Sequence, residues 1–401
     1  MTNADLAQRA KEILVPTYSH TPPIALVRGK GARVWDVEGR QYLDFLAGIA
    51  VCGAGHCHPA IVEAIQRQAA ELMHVSNIFL IPPQIEAAER LVALSFAEQA
   101  FFSNSGAEAV EGSLKLARRW QWANGHPDRT AIIAAQDSFH GRTYGAVTAT
   151  GTPKYHEGFG PMLPGVRHAK FNDLASFEAE LEKGDVAAVI VEPVQGEGGI
   201  IPATQKFLEG LRAACDRAGA LLIYDEIQCG LGRTGKNCAY QHFGVAPDIM
   251  THAKALGNGF PVGAFVTTKA IASVLTPGSH ATTYGGNPLA TAAAAAFLKL
   301  LVEENLAERA AKTGEFLMGL LRDELGDLPV VRGVRGLGLM IGIDTTTESA
   351  PIVPRCAERG LLLARAGKTV VRLVPPLIIT EDDCREAVGI LRNVLSEVKG
   401  D

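Results

Sequence analysis

The sequence predicts an α/β fold built on a mainly parallel central sheet, joined to a smaller α+β unit. Short apolar runs without polar alternation recur from about Pro59 onward: AEQAFFSNS, TAIIAAQ, VAAVIVEP, ALLIYDE, PDIMTHA and GAFVTT. Such runs are the mark of strands buried on both faces. Amphipathic stretches such as EAVEGSLKLARRWQWA and TQKFLEGLRAACDRAG lie between them, each ending at or near a glycine. After about residue 300 the pattern changes, and charged helices bracket RGLGLMIGID and TVVRLVPPL.

In chain order, a helical pattern opens the sequence and fades at Leu14. A pair of strands follows within LVRGKGARVWDVEGRQYLDFLAG, with glycine turns at Gly31 and Gly39. A helix starts at Pro59, because proline suits a first helical turn. The stretch LATAAAAAFLKLLVE from Leu289 reads as a packed helix, since Lys299 interrupts it and it is too short to span a membrane. These changes divide the chain into an N-terminal segment, 1–45, that joins the smaller unit, a large domain, 46–295, and a small C-terminal domain, 296–401.

Composition removes several function classes. The chain has 401 residues, 47% hydrophobic and 20% charged, which is enough apolar mass for a large core. A formal net charge of -5 gives no electrostatic footprint for nucleic acid or an anionic membrane surface. The first residues, MTNADLAQRAKEILVPTYSH, lack the apolar core of a secretory signal. Seven cysteines form no CxxC pair, so the sequence predicts a reduced, cytoplasmic protein rather than a disulfide framework. His56, Cys57 and His58 in GHCHP superficially resemble a metal site, but no second cluster completes a ligand set, and no metal is expected. The glycines of RGVRGLGLMIG follow no strand–turn–helix unit and predict no dinucleotide site.

The chemistry concentrates in ALLIYDEIQCG and PDIMTHAKALGNG. Asp225 ends one buried run, and strand ends are where an α/β sheet places ligands. Lys254 lies just past another run, between two alanines that offer it no partner. Alone, such a lysine reads as a side chain reaching water. Together with Asp225 it suits pyridoxal phosphate, which needs a lysine for its Schiff base and a carboxylate to keep its ring nitrogen protonated.

LLIYDEIQCGLGRTG, PDIMTHAKALGNGFPVGAF and TTYGGNPLA resemble the class III (subgroup II) aminotransferases of fold type I. GHCHPA, FFSNSGAEAVEGSLKLARR, SFHGRTYGA, PKYHEGFGP and VEPVQGEGGI agree with the same family in the same order, so the likeness runs from about Val15 to Pro376. It implies a pyridoxal-phosphate transferase fold with Lys254 and Asp225 as catalytic residues. Ser105, Gly106 and Ala107 form a strand–turn–helix start that offers amides to the phosphate, although serine there also reads as a plain N-cap. The family usually has threonine where this chain has Ala107, which removes one hydroxyl donor. By resemblance Phe139 stacks on the cofactor ring and Gln228 reaches its 3′-oxygen. Arg142 binds a substrate carboxylate, a task that suits its planar fork. Thr282 and Thr283 reach the substrate and phosphate of a neighbouring subunit, which implies a homodimer with shared sites. Glu197 latches Arg372 until a second carboxylate arrives, and Tyr18 lines the entrance. Read without the resemblance, these are a core phenylalanine, a surface arginine, a turn glutamine and loop threonines.

The likeness is nearest to members acting on N2-acetylornithine, whose δ-amino group passes to 2-oxoglutarate in arginine biosynthesis. Succinylornithine, succinyldiaminopimelate, ornithine and 4-aminobutyrate are alternative donors for the same chemistry. A pyridoxal-phosphate decarboxylase or mutase would share Lys254 and Asp225 and differ in the bond it breaks.

Overall fold

The computed structural model describes residues 1–398. Its centre is a seven-stranded sheet. The strands run in the order Gln99–Ser103, Gly263–Thr267, Ile249–His252, Leu221–Asp225, Val186–Val191, Ala131–Ala135, Val166–Ala169. Only Gly263–Thr267 runs against its neighbours, and the other pairings are parallel. Every apolar run read as a strand is in this sheet. The seventh strand, Val166–Ala169, was not expected. It pairs on one side only, so its sequence VRHA needs no apolar run and gives none.

Alternate side chains of the inner strands enter different cores. Ile132, Ala134, Ala188, Ile190 and Ile223 pack into one apolar cluster. Ile133, Ala135, Val189, Val191, Leu222 and Tyr224 pack into the other. Both faces are therefore covered, and this explains why these runs carry no polar alternation. The helix Gly106–Ala123 covers one face. On the other, Pro288–Glu303 is the predicted alanine-rich helix. Asn287 caps it by accepting from the Ala290 amide at 2.9 Å, and Pro288 occupies its first turn. Its alanines, fully buried at 293 and 294, let it pack closely on helices Pro59–Glu71 and Pro82–Val92.

The C-terminal part holds a four-stranded antiparallel sheet of Val331–Leu337, Met340–Thr345, Val370–Leu373 and Ala364–Ala366. Helices Leu306–Leu325 and Glu381–Ser396 pack together beside it. Near the N-terminus the expected pair of strands is a meander of three: Leu26–Lys30, Arg33–Asp36 and Gln41–Asp44. The third was missed because Gln41–Asp44 holds two buried apolar residues between polar ends. It pairs in parallel with Leu361–Leu362, so the N-terminal segment and the C-terminal part share a sheet.

After the meander the backbone enters the left-handed region at four successive residues, Ala47, Gly48, Ile49 and Ala50. Each non-glycine residue there costs about 1–2 kcal/mol. Asp44 holds the turn by accepting from the amides of Leu46 and Ala47 at 2.9 and 2.8 Å. Its other oxygen meets His56 Nε2 at 2.6 Å. GHCHP therefore serves this ion pair and the start of the helix at Pro59, and among the described residues no group of potential metal ligands is found.

The Asp44 carboxylate, with Cys52 contributing next, pushes the His56 imidazole up to about 10. An unfolded histidine releases its proton near 6.5, so the pair stabilises fully below that pH and loses its contribution as pH rises to about 10. Denaturant unfolding at a series of pH values should therefore show wild type losing stability relative to His56→Gln across this window. Curves that stay parallel would contradict the role given to the pair.

Candidate active site

At the carboxyl ends of the parallel strands lies a cavity of about 410 Å³. Ser105, Gly106, Ala107, Phe139, Arg142, Asp225, Gln228 and Lys254 all line it. These positions span more than a third of the sequence and meet because each follows or ends a strand of one sheet.

Asp225 closes the strand Leu221–Asp225 and is buried. Its Oδ1 accepts from Thr251 Oγ1 and the Ile227 amide, both at 3.1 Å. Its Oδ2 meets His140 Nδ1 at 2.7 Å, inside the protein. That oxygen keeps acceptor capacity toward the cavity, as a partner for a protonated ring nitrogen requires.

Lys254 begins a short 3-10 turn, Lys254–Gly257, with its own backbone in the left-handed region. Burial lowers its ammonium to about 8, and the charge of Arg372 acts in the same direction. Glu197, Asp225 and Glu192 oppose this shift. Among the described residues the amine has no salt-bridge partner. The turn is fixed by Asn258, which accepts from the Ala54 amide at 2.7 Å and donates to the Gly55 carbonyl at 3.1 Å.

Ser105 caps the helix Gly106–Ala123, accepting from the Glu108 amide at 3.2 Å. Its carbonyl takes the Ala109 amide. The amides of Gly106 and Ala107 are left unpaired at a cavity-lining helix start, a ready anion cradle. A Cβ at 106 would stand 2.8 Å from the end of the Ile227 side chain, so glycine lets that side chain pack against the helix start. Gly263 lets the next strand pass equally close, since a Cβ there would lie 2.2 Å from the Ser105 carbonyl.

Phe139 and Arg142 come from the loop after Ala131–Ala135. The Arg142 guanidinium lies 3.9 Å from the Tyr155 ring centre and has no acidic partner among the described residues. It faces the inner cavity and also an outer one lined by Tyr18, Tyr144, Tyr155 and Phe159. A free, stacked guanidinium between the two is poised for a carboxylate.

Arg372 is 2% exposed and meets Glu197 at 2.5 Å, across 175 residues of sequence. It also donates to Gln228 Oε1 at 3.0 Å, and its Nε has no partner. Gln228 thus touches both the cavity and the arginine. Thr282 and Thr283 do not enter this chain's cavity. Thr282 Oγ1 accepts from the Gly285 amide at 3.1 Å, and Thr283 is exposed.

Sequence reasoning passed over His140, Glu192 and Thr251. His140 stands between Phe139 and Arg142 in a motif already noted. Thr251 is paired with Asp225 across neighbouring strands. Glu192 directly follows VAAVIV, the same strand-end rule that singled out Asp225. Burial pushes its carboxyl up to about 7.

The chain matches the family Aminotransferase class-III over residues 14–395. It is 48% identical to the acetylornithine aminotransferase of Caldanaerobacter subterraneus subsp. tengcongensis, over 97% of this chain and 98% of that one. It is 44% identical to the acetylornithine/succinyldiaminopimelate aminotransferase of Yersinia pestis, over 96% of each. The ornithine aminotransferase of Toxoplasma gondii, solved with partial occupancy of PLP at its active site, superposes with a TM-score of 0.94 at 34% identity, covering 99% of this chain and 95% of that one. A match of that extent, on a sheet whose strand ends gather a buried lysine, a carboxylate and an anion cradle, makes the chain a member of the class-III aminotransferases.

Proposed function

We propose that the protein moves the δ-amino group of N2-acetyl-L-ornithine to 2-oxoglutarate, giving N-acetylglutamate 5-semialdehyde and L-glutamate, a step of arginine biosynthesis. The observation that carries this reading is one cavity holding a buried lysine with a lowered proton affinity, a strand-end carboxylate and the unpaired Arg142, with Gln228 on its wall bonded to the latched Arg372 behind. Pyridoxal 5′-phosphate is the cofactor, and it supplies the carbonyl that receives the amino group and a ring that delocalises electrons.

The protein's own groups divide the work. The amides of Gly106 and Ala107 would hold the phosphate, Phe139 would meet the ring, and Gln228 has an amide nitrogen that could donate to a ring oxygen. Asp225 would keep the ring nitrogen protonated, with His140 and Thr251 holding the carboxylate in place. Lys254 Nζ would hold the cofactor through its carbonyl carbon and would serve as the base that moves the proton of the amino-bearing carbon. Arg142 binds the α-carboxylate of N-acetylornithine, beside Tyr18 at the entrance. Glu197 keeps Arg372 neutralised while that donor is bound and yields it to the second carboxylate of 2-oxoglutarate. The Yersinia pestis relative makes succinyldiaminopimelate a second candidate donor.

A homodimer completes the reading. Ile78, Phe79, Leu80 and Tyr284 are large apolar residues exposed by more than half in the single chain. They lie near the Thr282–Thr283 loop, which Asn77 tethers. A second copy covering this patch would bring both threonines to its partner's cofactor site. The shared N- and C-terminal sheet supports grouping residues 1–45 with 296–401 as one small domain beside a large domain, 46–295. Seven free cysteines suit the reducing cytoplasm.

N-acetylornithine added to the purified holoenzyme should abolish its visible cofactor band, and 2-oxoglutarate should restore it. A response to ornithine alone would move the substrate, and silence with every amine would end the reading. Mixing apoprotein with pyridoxal phosphate should give covalent uptake that slows steadily below about pH 8, as Lys254 takes up a proton, and that is absent in Lys254→Ala. Arg142→Lys should raise KM for both substrates by about 10–100-fold, the worth of a charge-assisted fork contact, as steady-state kinetics would read.

A further inference from the structure

The loop that brings Phe139 to the cavity and the loop that carries Glu197 are bound to one another through buried side chains, and one of them, Glu192, bonds a peptide in each. Glu192 is 3% exposed and lines the cavity. Its Oε1 accepts from the Phe139 amide at 3.1 Å, and its Oε2 accepts from the Gly196 amide at 2.9 Å. Gly196 directly precedes Glu197, whose carboxylate latches Arg372. The loops touch elsewhere too. Gln195 Nε2 donates to the Gln136 carbonyl at 2.8 Å, and a Cβ on Gly198 would stand 2.7 Å from the Asp137 carbonyl. A Cβ on Gly196 would lie 2.4 Å from Gln228 Nε2, so this loop has little room to shift while Glu192 holds it.

We propose that Glu192 is a positioning residue that ties the loop of Phe139 to the loop of Glu197 and thereby favours the closed latch on Arg372. The assignment rests on the aminotransferase reading above for its functional consequence, but not for its structural one. Both peptide N–H groups point at the carboxylate in the state where Glu197 holds Arg372, so the two bonds stabilise that state over one in which Glu197 swings away. A donor with one carboxylate needs the latch closed, because an unlatched Arg372 would leave a buried cation unpaired. A substrate with two carboxylates needs it open. Glu192 therefore sets the balance between the half-reactions. The titratable groups around it are His140, Asp225 and Lys254. None of them bonds to either carboxylate oxygen, and among the described residues its hydrogen bonds are those to the Phe139 and Gly196 amides.

The test is Glu192→Gln, with Glu192→Asp beside it. Glutamine offers one accepting oxygen in place of two, and aspartate keeps the charge but is too short to reach both peptides. Hydrogen exchange is measured first on the apoproteins. Amides of Phe139 and Gly196 should exchange about tenfold faster or more in either variant, while those of the helix Gln205–Ala218 keep their wild-type rates. In the holoenzymes, kcat/KM for N-acetylornithine should fall relative to that for 2-oxoglutarate by about tenfold, the size of one charge-assisted bond. Unchanged exchange at both amides, or half-reactions lowered equally, would overturn the proposal. If one variant fails to fold, the other decides by the same readings. If wild type turns over neither substrate, exchange alone judges the tether, and the functional reading falls separately.

Discussion

A carboxylate buried at the end of a strand must find its hydrogen bonds inside the protein, and much of this site follows from how Asp225 finds them. Its partners come from three segments: the loop after Ala131–Ala135 supplies His140, the neighbouring strand supplies Thr251, and its own turn supplies the Ile227 amide. Satisfying this one group fixes the loop that carries Phe139 and Arg142. It also fixes the strand that leads into Lys254. The cavity is thus bounded by segments already committed to the carboxylate, which is how a site gains rigidity without a ligand to shape it.

Charge is managed by contrast. Two arginines serve the cavity, one free and stacked on Tyr155, the other buried and latched by Glu197. Burial, more than any neighbouring charge, lowers the Lys254 ammonium to about 8, so it gives up its proton far more readily than an exposed lysine. Had its ammonium been paired locally, the amine would be a weak nucleophile near neutrality. The neighbouring alanines and the tight turn after Lys254 therefore matter as much as the lysine itself.

Much of the fold was legible because a sheet buried on both faces must be written in continuous apolar runs. Val166–Ala169 escaped because an edge strand faces no such demand, and the third N-terminal strand escaped because Gln41–Asp44 has only two apolar residues between polar ends. Lys254 and Asp225 were legible from strand ends. The latch between Glu197 and Arg372 was not, since no local pattern links residues 175 apart, and only resemblance suggested it. His140 and Glu192 were visible in the text of the sequence yet silent. A histidine or glutamate announces its role only when the peptide or carboxylate it meets is known. Thr282 and Thr283 show the opposite limit, for their own chain gives them nothing to act on in the cavity.

The left-handed turn Ala47–Ala50 reverses the usual rule for glycine. In ordinary strands and helices, glycine loosens a protein because it gives up more freedom on folding. Here Ala47, Ile49 and Ala50 hold a conformation that glycine adopts without strain. Their side chains are kept against the preference of their own backbone, and Val51, the next residue, lines the cavity. The segment is a place where this protein is less stable than its composition allows. Glycine there would relieve the backbone and, in the same change, remove the methyl groups that Ala47 and Ala50 bury just before Val51 reaches the cavity.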